Sequence, residues 1–375
     1  MSNEKQSRLE KTQERLQTEW NRRHAKIAQL GNDLAIETDS AIKFKLEKQL
    51  EDEQANLSKL GNQLDLIEAQ ITENQVTHSP PSNIQPPQPQ PNNGQASPFI
   101  TGPPITQPRY FFGREKELKR LFNLLKRHPL QNAAIIGKKR SGKTSLLHYL
   151  KNITTTPAAQ LRLNQKSDWL PNPENYQWIF IDLQDARMQN QERLLKYILE
   201  SLKMQVPKPC ELDYFMEVVS GNLHTPTVIL LDEIGVGLQR CPELDDGFWE
   251  SLRSLATNST GGNLAFILAT PESPIKLAQN TGHSSPFFNI FGYTTYLGAL
   301  TEQEARELIA SSPIPFDDED VEWILNQSQC LPILLQILCR ERLFTLEEGE
   351  DENWREEALI QIKPFSDLLH EDREG

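Results

Sequence analysis

Ala133-Ala134-Ile135-Ile136-Gly137-Lys138-Lys139-Arg140-Ser141-Gly142-Lys143-Thr144 decides how the rest of the chain is read. Four small or branched apolar residues, 133–136, predict a short buried strand. Gly137 opens a loop that closes on Gly142, Lys143 and Thr144. Ser145-Leu146-Leu147-His148-Tyr149-Leu150 follows as a helix with its leucines on one side. This order, strand then G-x-x-x-x-G-K-T then helix, is the spacing of a phosphate loop. A triphosphate is gripped by backbone N–H groups that converge on it, and glycines let the backbone approach without a Cβ in the way. The start of the following helix adds unpaired N–H groups and the positive end of its dipole. Gly137, Lys138, Lys139, Arg140, Ser141, Gly142, Lys143, Thr144 and Ser145 are therefore the candidate phosphate contacts. Lys143 would reach the β- and γ-phosphates, and the Thr144 hydroxyl would ligate Mg²⁺. The alternative is a chance Gly-Lys loop, which the correct flanks disfavour.

Such a loop needs an acidic partner. The run 227–231, Thr-Val-Ile-Leu-Leu, ends in Asp232-Glu233. Apolar throughout, it suits a central parallel strand covered on both faces. Asp232 would complete the metal site from a strand neighbouring that of the loop, and Glu233 would orient and deprotonate the attacking water. A strand-end cap pair is the structural alternative. Another buried run, 264–269, ends at Thr270, which could sense the γ-phosphate or merely close the strand end. Asp182 ends the run 178–183 and reads as structural. With 293–297 as a last strand and helices over 191–204 and 248–255, strands alternate with helices. The fold class predicted is α/β: a doubly wound parallel sheet of phosphate-loop type with ligands at the carboxyl ends of its strands.

Five segments are expected. Residues 1–73 carry two amphipathic helices. The first has Leu9, Leu16 and Leu30 in one row and Gln13, Trp20, Ile27 and Leu34 in the other, broken at Gln13 and Arg23. The second has Leu50, Leu57, Leu64 and Ile71 against Leu46, Leu60 and Ile67, with Glu53 as the gap. Thr38-Asp39-Ser40 caps its start, so an antiparallel coiled-coil hairpin is predicted. One hairpin buries little, which points to self-association or to docking on an effector protein. Residues 74–108, with prolines among Gln, Asn and Ser, read as an extended linker. Residues 109–300 form the phosphate-loop domain, with 151–175 as a polar surface insertion. Residues 301–346 form a helical lid opened by the capping box Thr301-Glu302-Gln303-Glu304. Residues 347–375 read as an acidic, weakly patterned tail.

Composition sets outer bounds. The net charge of -13 argues against a general affinity for nucleic acid or anionic membrane, though a local basic patch is compatible with it. No apolar run is long enough to span a bilayer, and the polar start is no signal peptide. Cys210, Cys241, Cys330 and Cys339 form no C-x-x-C pair and read as reduced thiols of a cytoplasmic protein.

Phe112-Gly113-Arg114-Glu115-x-Glu117-Leu118, the phosphate loop, Ile-Leu-Leu-Asp232-Glu233 and Cys330-Leu331-Pro332 together resemble the signal-transduction ATPases with numerous domains (STAND), within the wider AAA+ group. The resemblance covers about residues 108–345. It implies ATP and Mg²⁺ as cofactors, an adenine site lined by Phe112, Gly113 and Arg114, and a lid proline, Pro332, beside the nucleotide. Residues 37–48 are similar to small helical modules joined to such ATPases in cyanobacterial and other bacterial proteins. Three departures stand out. Cys330 occupies the glycine that usually starts the lid motif. Pro271 follows Thr270 where many relatives carry arginine, leaving Arg240 and Arg253 as substitutes that read better as surface residues. The chain stops soon after the lid, where relatives often continue into a winged helix and a repeat sensor. The expectation is an ATP-binding switch with slow hydrolysis. The alternatives are a DNA-associated AAA+-like regulator of replication or transposition, and a nucleotide-bound adaptor with negligible catalysis.

Overall fold

The computed structural model describes residues 97–163, 165–349 and 353–370, together with individual helical positions between 12 and 56. The chain divides into two compact units, Met1–Asn92 and Asn93–Gly375.

In the first unit the described positions from Thr12 to Lys26 and from Lys43 to Asn56 are helical. Arg23 donates to Glu53 at 2.8 Å, and so does Lys26. The two charges that interrupt the apolar rows, Arg23 and Glu53, thus pair with each other. The apolar rows themselves, apart from Leu46, and the linker 74–96 lie outside the described residues.

The second unit is built on five parallel strands: β1 (Ala133–Ile136), β2 (Gln177–Asp182), β3 (Thr227–Asp232), β4 (Leu264–Thr270) and β5 (Tyr293–Tyr296). Their order across the sheet is β2-β3-β4-β1-β5. Ile136 stands opposite Thr270 and Leu231 opposite Leu268, so β4 lies between the loop strand and the acidic strand. The acidic strand is therefore one strand further from the loop strand than a direct neighbour would be. Every residue of β1, β3 and β4 is buried, as unalternated apolar runs require.

Alternation along β4 separates two cores. Phe266 and Leu268 face one, with Trp249, Phe248 and Phe287. Ala265 and Ile267 face the other, with Leu121, Phe122 and Leu147. The helices α1 (Glu115–Leu125) and α2 (Lys143–Asn152) belong to the second core. Those of the first are α3 (Gln191–Ser201), α4 (Leu212–Asn222), α5 (Ile234–Arg240), α6 (Asp246–Ser254) and α7 (Pro274–Asn280). The segment expected to be a lid has a core of its own, from α8 (Glu302–Ile309), α9 (Asp318–Ser328), α10 (Pro332–Glu348) and α11 (Trp354–Ile362), followed by the short α12 (Asp367–His370).

Three expectations change. The stretch 151–175 is not purely a surface insertion, because Trp169 and Leu170 are buried and Trp169 stacks on Phe122 at 5.2 Å. The end of the linker is ordered, because Phe99 is buried among lid residues. The acidic stretch after residue 347 continues the lid: α10 runs to Glu348, and Trp354, Ala358 and Ile362 bury one face of α11 against it. Residues 350–352 and 371–375 lie outside the described residues.

Candidate functional site

The loop between β1 and α2 has the backbone a phosphate needs. A Cβ on Gly137 would sit 2.4 Å from Ser141 Oγ and 2.9 Å from the Leu297 carbonyl, so only glycine fits. Gly142 has φ +92, a conformation that side chains disfavour, and it hands the chain to Lys143 at the start of α2. No side chain caps that start, so its first N–H groups are left for a ligand. Ser141 Oγ is buried without a hydrogen-bond partner. Lys143 Nζ lies over the loop, donating to the carbonyls of Gly137 at 2.8 Å and Lys138 at 3.0 Å. Desolvation lowers its pKa, opposed by Glu233 and Asp232.

Asp232, at the tip of β3, is 3% exposed. Desolvation raises its pKa to about 6, and the hydrogen bond from the Thr144 hydroxyl opposes that rise. A buried carboxyl touching the loop threonine suits a divalent cation held between Thr144 and Asp232. Glu233 follows at φ +51, a strained setting for a side chain that begins α5 at the cavity wall. The orphan Ser141 hydroxyl, the uncapped helix start and this carboxyl together fit a phosphate-bound metal.

These groups line one cavity of about 460 Å³. Lys139, Arg140, Ser141, Gly142, Lys143, Thr144 and Ser145 line it together with Asp182, Asp232 and Glu233. Phe112, Arg114 and Pro332 line it as well. Phe112 is held from behind by Arg162, whose guanidinium lies 3.9 Å from the ring centre and donates to the Phe111 carbonyl at 2.9 Å. The Arg114 guanidinium donates to the carbonyls of Gly298 and Ala299, so it ties the start of α1 to the chain after β5. Pro332 is the first residue of α10. Cys330 has φ +57, the left-handed conformation a glycine would supply at that step.

Other expected residues stand elsewhere. The Thr270 hydroxyl donates to the Glu272 carbonyl at 2.9 Å, and the Thr270 carbonyl accepts the Gly137 N–H at 3.1 Å. Thr270 braces the loop and does not line the cavity. Gly113 is packed against Glu304 of the lid. Gly137 and Lys138 line a second cavity, of about 560 Å³, which shares Lys139, Arg140 and Ser141 with the first. Arg240 and Arg253 line neither.

Part of the wall comes from residues outside the sequence motifs. Ile100 to Ile105, Gln184 and Gln336 all line the first cavity. A polar Gln336 within the apolar run of α10 was a readable signal. The proline-rich composition around 100–105 concealed the rest. Among the described residues no cluster of three His, Cys, Asp or Glu side chains forms a metal site, and no helix is long and apolar enough to cross a membrane.

No protein-family model and no curated protein matches the chain. Solved structures do. The Walker-type ATPase PABY2304 of Pyrococcus abyssi is similar over 72% of this chain and 78% of its own, at 16% identity and a TM-score of 0.48. The ORC2 protein of Aeropyrum pernix, in ADPNP–ADP complexes, is similar over 66% and 68%, at 14% identity and a TM-score of 0.49. A STAND protein with a tetratricopeptide repeat sensor, PH0952 from Pyrococcus horikoshii, is similar over 68% and 34%, at 14% identity and a TM-score of 0.35.

Proposed function

We propose that the chain is an ATP-binding, slowly hydrolysing signalling switch of the STAND kind within the AAA+-like ATPases. One observation carries the reading: the phosphate loop, the Asp232–Glu233 strand tip and the lid residue Pro332 line a single cavity. Bound ATP with Mg²⁺ would supply a transferable γ-phosphoryl group. Lys143 and the loop amides hold the phosphates, Thr144 and Asp232 hold the metal, and Glu233 orients a water. Phe112 and Pro332 enclose the base. Turnover is slow because the arginines on the cavity wall are Arg114, committed to carbonyls, and Arg140, on the loop itself. The lid follows nucleotide state. The N-terminal hairpin passes that state to other copies or to an effector protein in the cytoplasm. The Arg23–Glu53 pair between its helical stretches supports the hairpin part of this reading.

Purified wild type is expected to retain nucleotide and Lys143→Ala to lose it; equal content in the two would remove the basis of this assignment. Glu233→Gln should keep bound ATP and hydrolyse it on the order of a hundredfold more slowly, the usual worth of a positioned acid–base group.

A further inference from the structure

Residues 100–105 run along the first cavity. Phe99 is buried in the lid core. The Ile100 N–H donates at 2.9 Å to Oε1 of Gln336, a buried residue of α10, and Arg340 on the same helix donates to Thr101 Oγ1. Beyond Thr101 the partners change. Arg140 of the phosphate loop donates at 2.9 Å to the Gly102 carbonyl. The Ile105 N–H donates at 3.0 Å to Ser145 Oγ on α2, and Asn152 Nδ2 donates at 2.8 Å to the Thr106 carbonyl. The segment is thus a strap, with one half held by the lid and the other by the loop and its helix. Every residue from Ile100 to Ile105 lines the cavity.

Of the three side chains that hold the strap from the loop side, Ser145 and Arg140 keep donors in reserve. Ser145 Oγ accepts from Ile105, and among the described residues its own proton meets no acceptor. Arg140 uses one of its five N–H groups on Gly102. Each can hold a phosphate oxygen and the strap together. A hydroxyl that donates to an anion becomes a better acceptor, so a phosphate on Ser145 strengthens its hold on Ile105. A guanidinium fixed by an anion has less freedom left to lose when it also holds a carbonyl. The Arg140–Gly102 bond is solvent-exposed, where an unaided hydrogen bond is worth little.

We propose that residues 99–106 are a nucleotide-tightened strap: phosphate in the cavity locks Gly102 and Ile105 onto the loop, while the lid already holds Ile100 and Thr101. Phe99, Ile100 and Thr101 stay with the lid, so occupancy decides how firmly the strap couples the lid to the loop and its helix. The proposal rests on the nucleotide reading above and adds to it a link by which phosphate at the loop is felt by the lid.

Amide hydrogen exchange on the full chain tests it, with and without saturating ATP and Mg²⁺, and with bound nucleotide assayed in parallel. The Ile105 amide should exchange about tenfold more slowly with nucleotide. The control is the Leu130 amide, bonded to the Gly262 carbonyl ahead of β1, which should change much less. Lys143→Ala should abolish the slowing. Retained nucleotide with Ile105 unchanged, or slowed only as much as Leu130, overturns the strap alone. A wild type that binds no nucleotide overturns the reading of the cavity and the strap with it.

Discussion

Asp232 is 3% exposed, and desolvation holds its carboxyl near pH 6 instead of its ordinary 3.8. The folded state therefore binds its proton more tightly than the unfolded chain does. That contribution is complete below about pH 4 and is lost as the pH rises through 6, a difference of about 3 kcal/mol for a rise of this size. At neutral pH without nucleotide, Asp232→Asn should be the more stable protein by up to about that amount, and the gap should close below about pH 4. Urea unfolding of the pair from pH 4 to 7.5 measures this; a gap independent of pH would show that burial of this carboxyl is not its source. ATP with Mg²⁺ should stabilise the wild type and do little for the variant. Gln329, at the end of α9, has φ +46 and is exposed, just before Cys330 at +57. Gln329→Gly relieves the left-handed strain without removing a packed side chain, and should raise stability by about 0.5–1 kcal/mol. Thermal melts that show a loss would mean the Gln329 side chain holds something the geometry does not reveal.

At the scale of elements the lid gives the sharpest expectations. Thr301 accepts the Glu304 N–H at 3.3 Å while the Glu304 carboxylate accepts the Thr301 N–H at 3.0 Å, so α8 starts on a complete capping box. Thr301→Ala should cost about 1 kcal/mol. Asp320 on α9 is buried with Arg342 on α10 and also receives Arg355 on α11, fastening three lid helices. Removing one member of a buried pair strands the other, so Asp320→Ala should cost about 3–5 kcal/mol in denaturant titration. A cost near that of a surface pair would mean water reaches the site. The capping box and the strands were readable because their signals are local: Thr-x-x-Glu, or an unbroken apolar run. Helix α11 was not, because Trp354, Ala358 and Ile362 make a narrow stripe among Glu356 and Glu357, and the acidic composition outweighs it. Glycines 235 and 237 hid α5 in the same way, by lowering helix propensity where the core supplies the helix.

For the whole molecule, all three cores of the second unit are built from residues at or after Phe99. The fragment Asn93–Gly375 should therefore fold cooperatively and retain nucleotide as the full chain does; loss of its melting transition would show that Met1–Asn92 contributes to the fold. Parallel strands could be read from sequence, but their order could not. Nothing within 264–270 says that β4 slots between β1 and β3, since that is settled by crossovers and packing over the whole sheet. The strap was illegible for a similar reason: its partners, Gln336 and Ser145, lie far along the chain on either side of the cavity. Cys330 offers a practical use of the geometry. Cys210, Cys241 and Cys339 are buried, whereas Cys330 is partly accessible, and its carbonyl accepts the Leu300 N–H at 2.9 Å. Burial raises its thiol pKa, so alkylation calls for mildly alkaline buffer. A maleimide dye would then reach this sulfur ahead of the other three. The native chain comes with its own attachment point for a fluorescent reporter, set where sheet and lid meet, with no cysteine to add or delete.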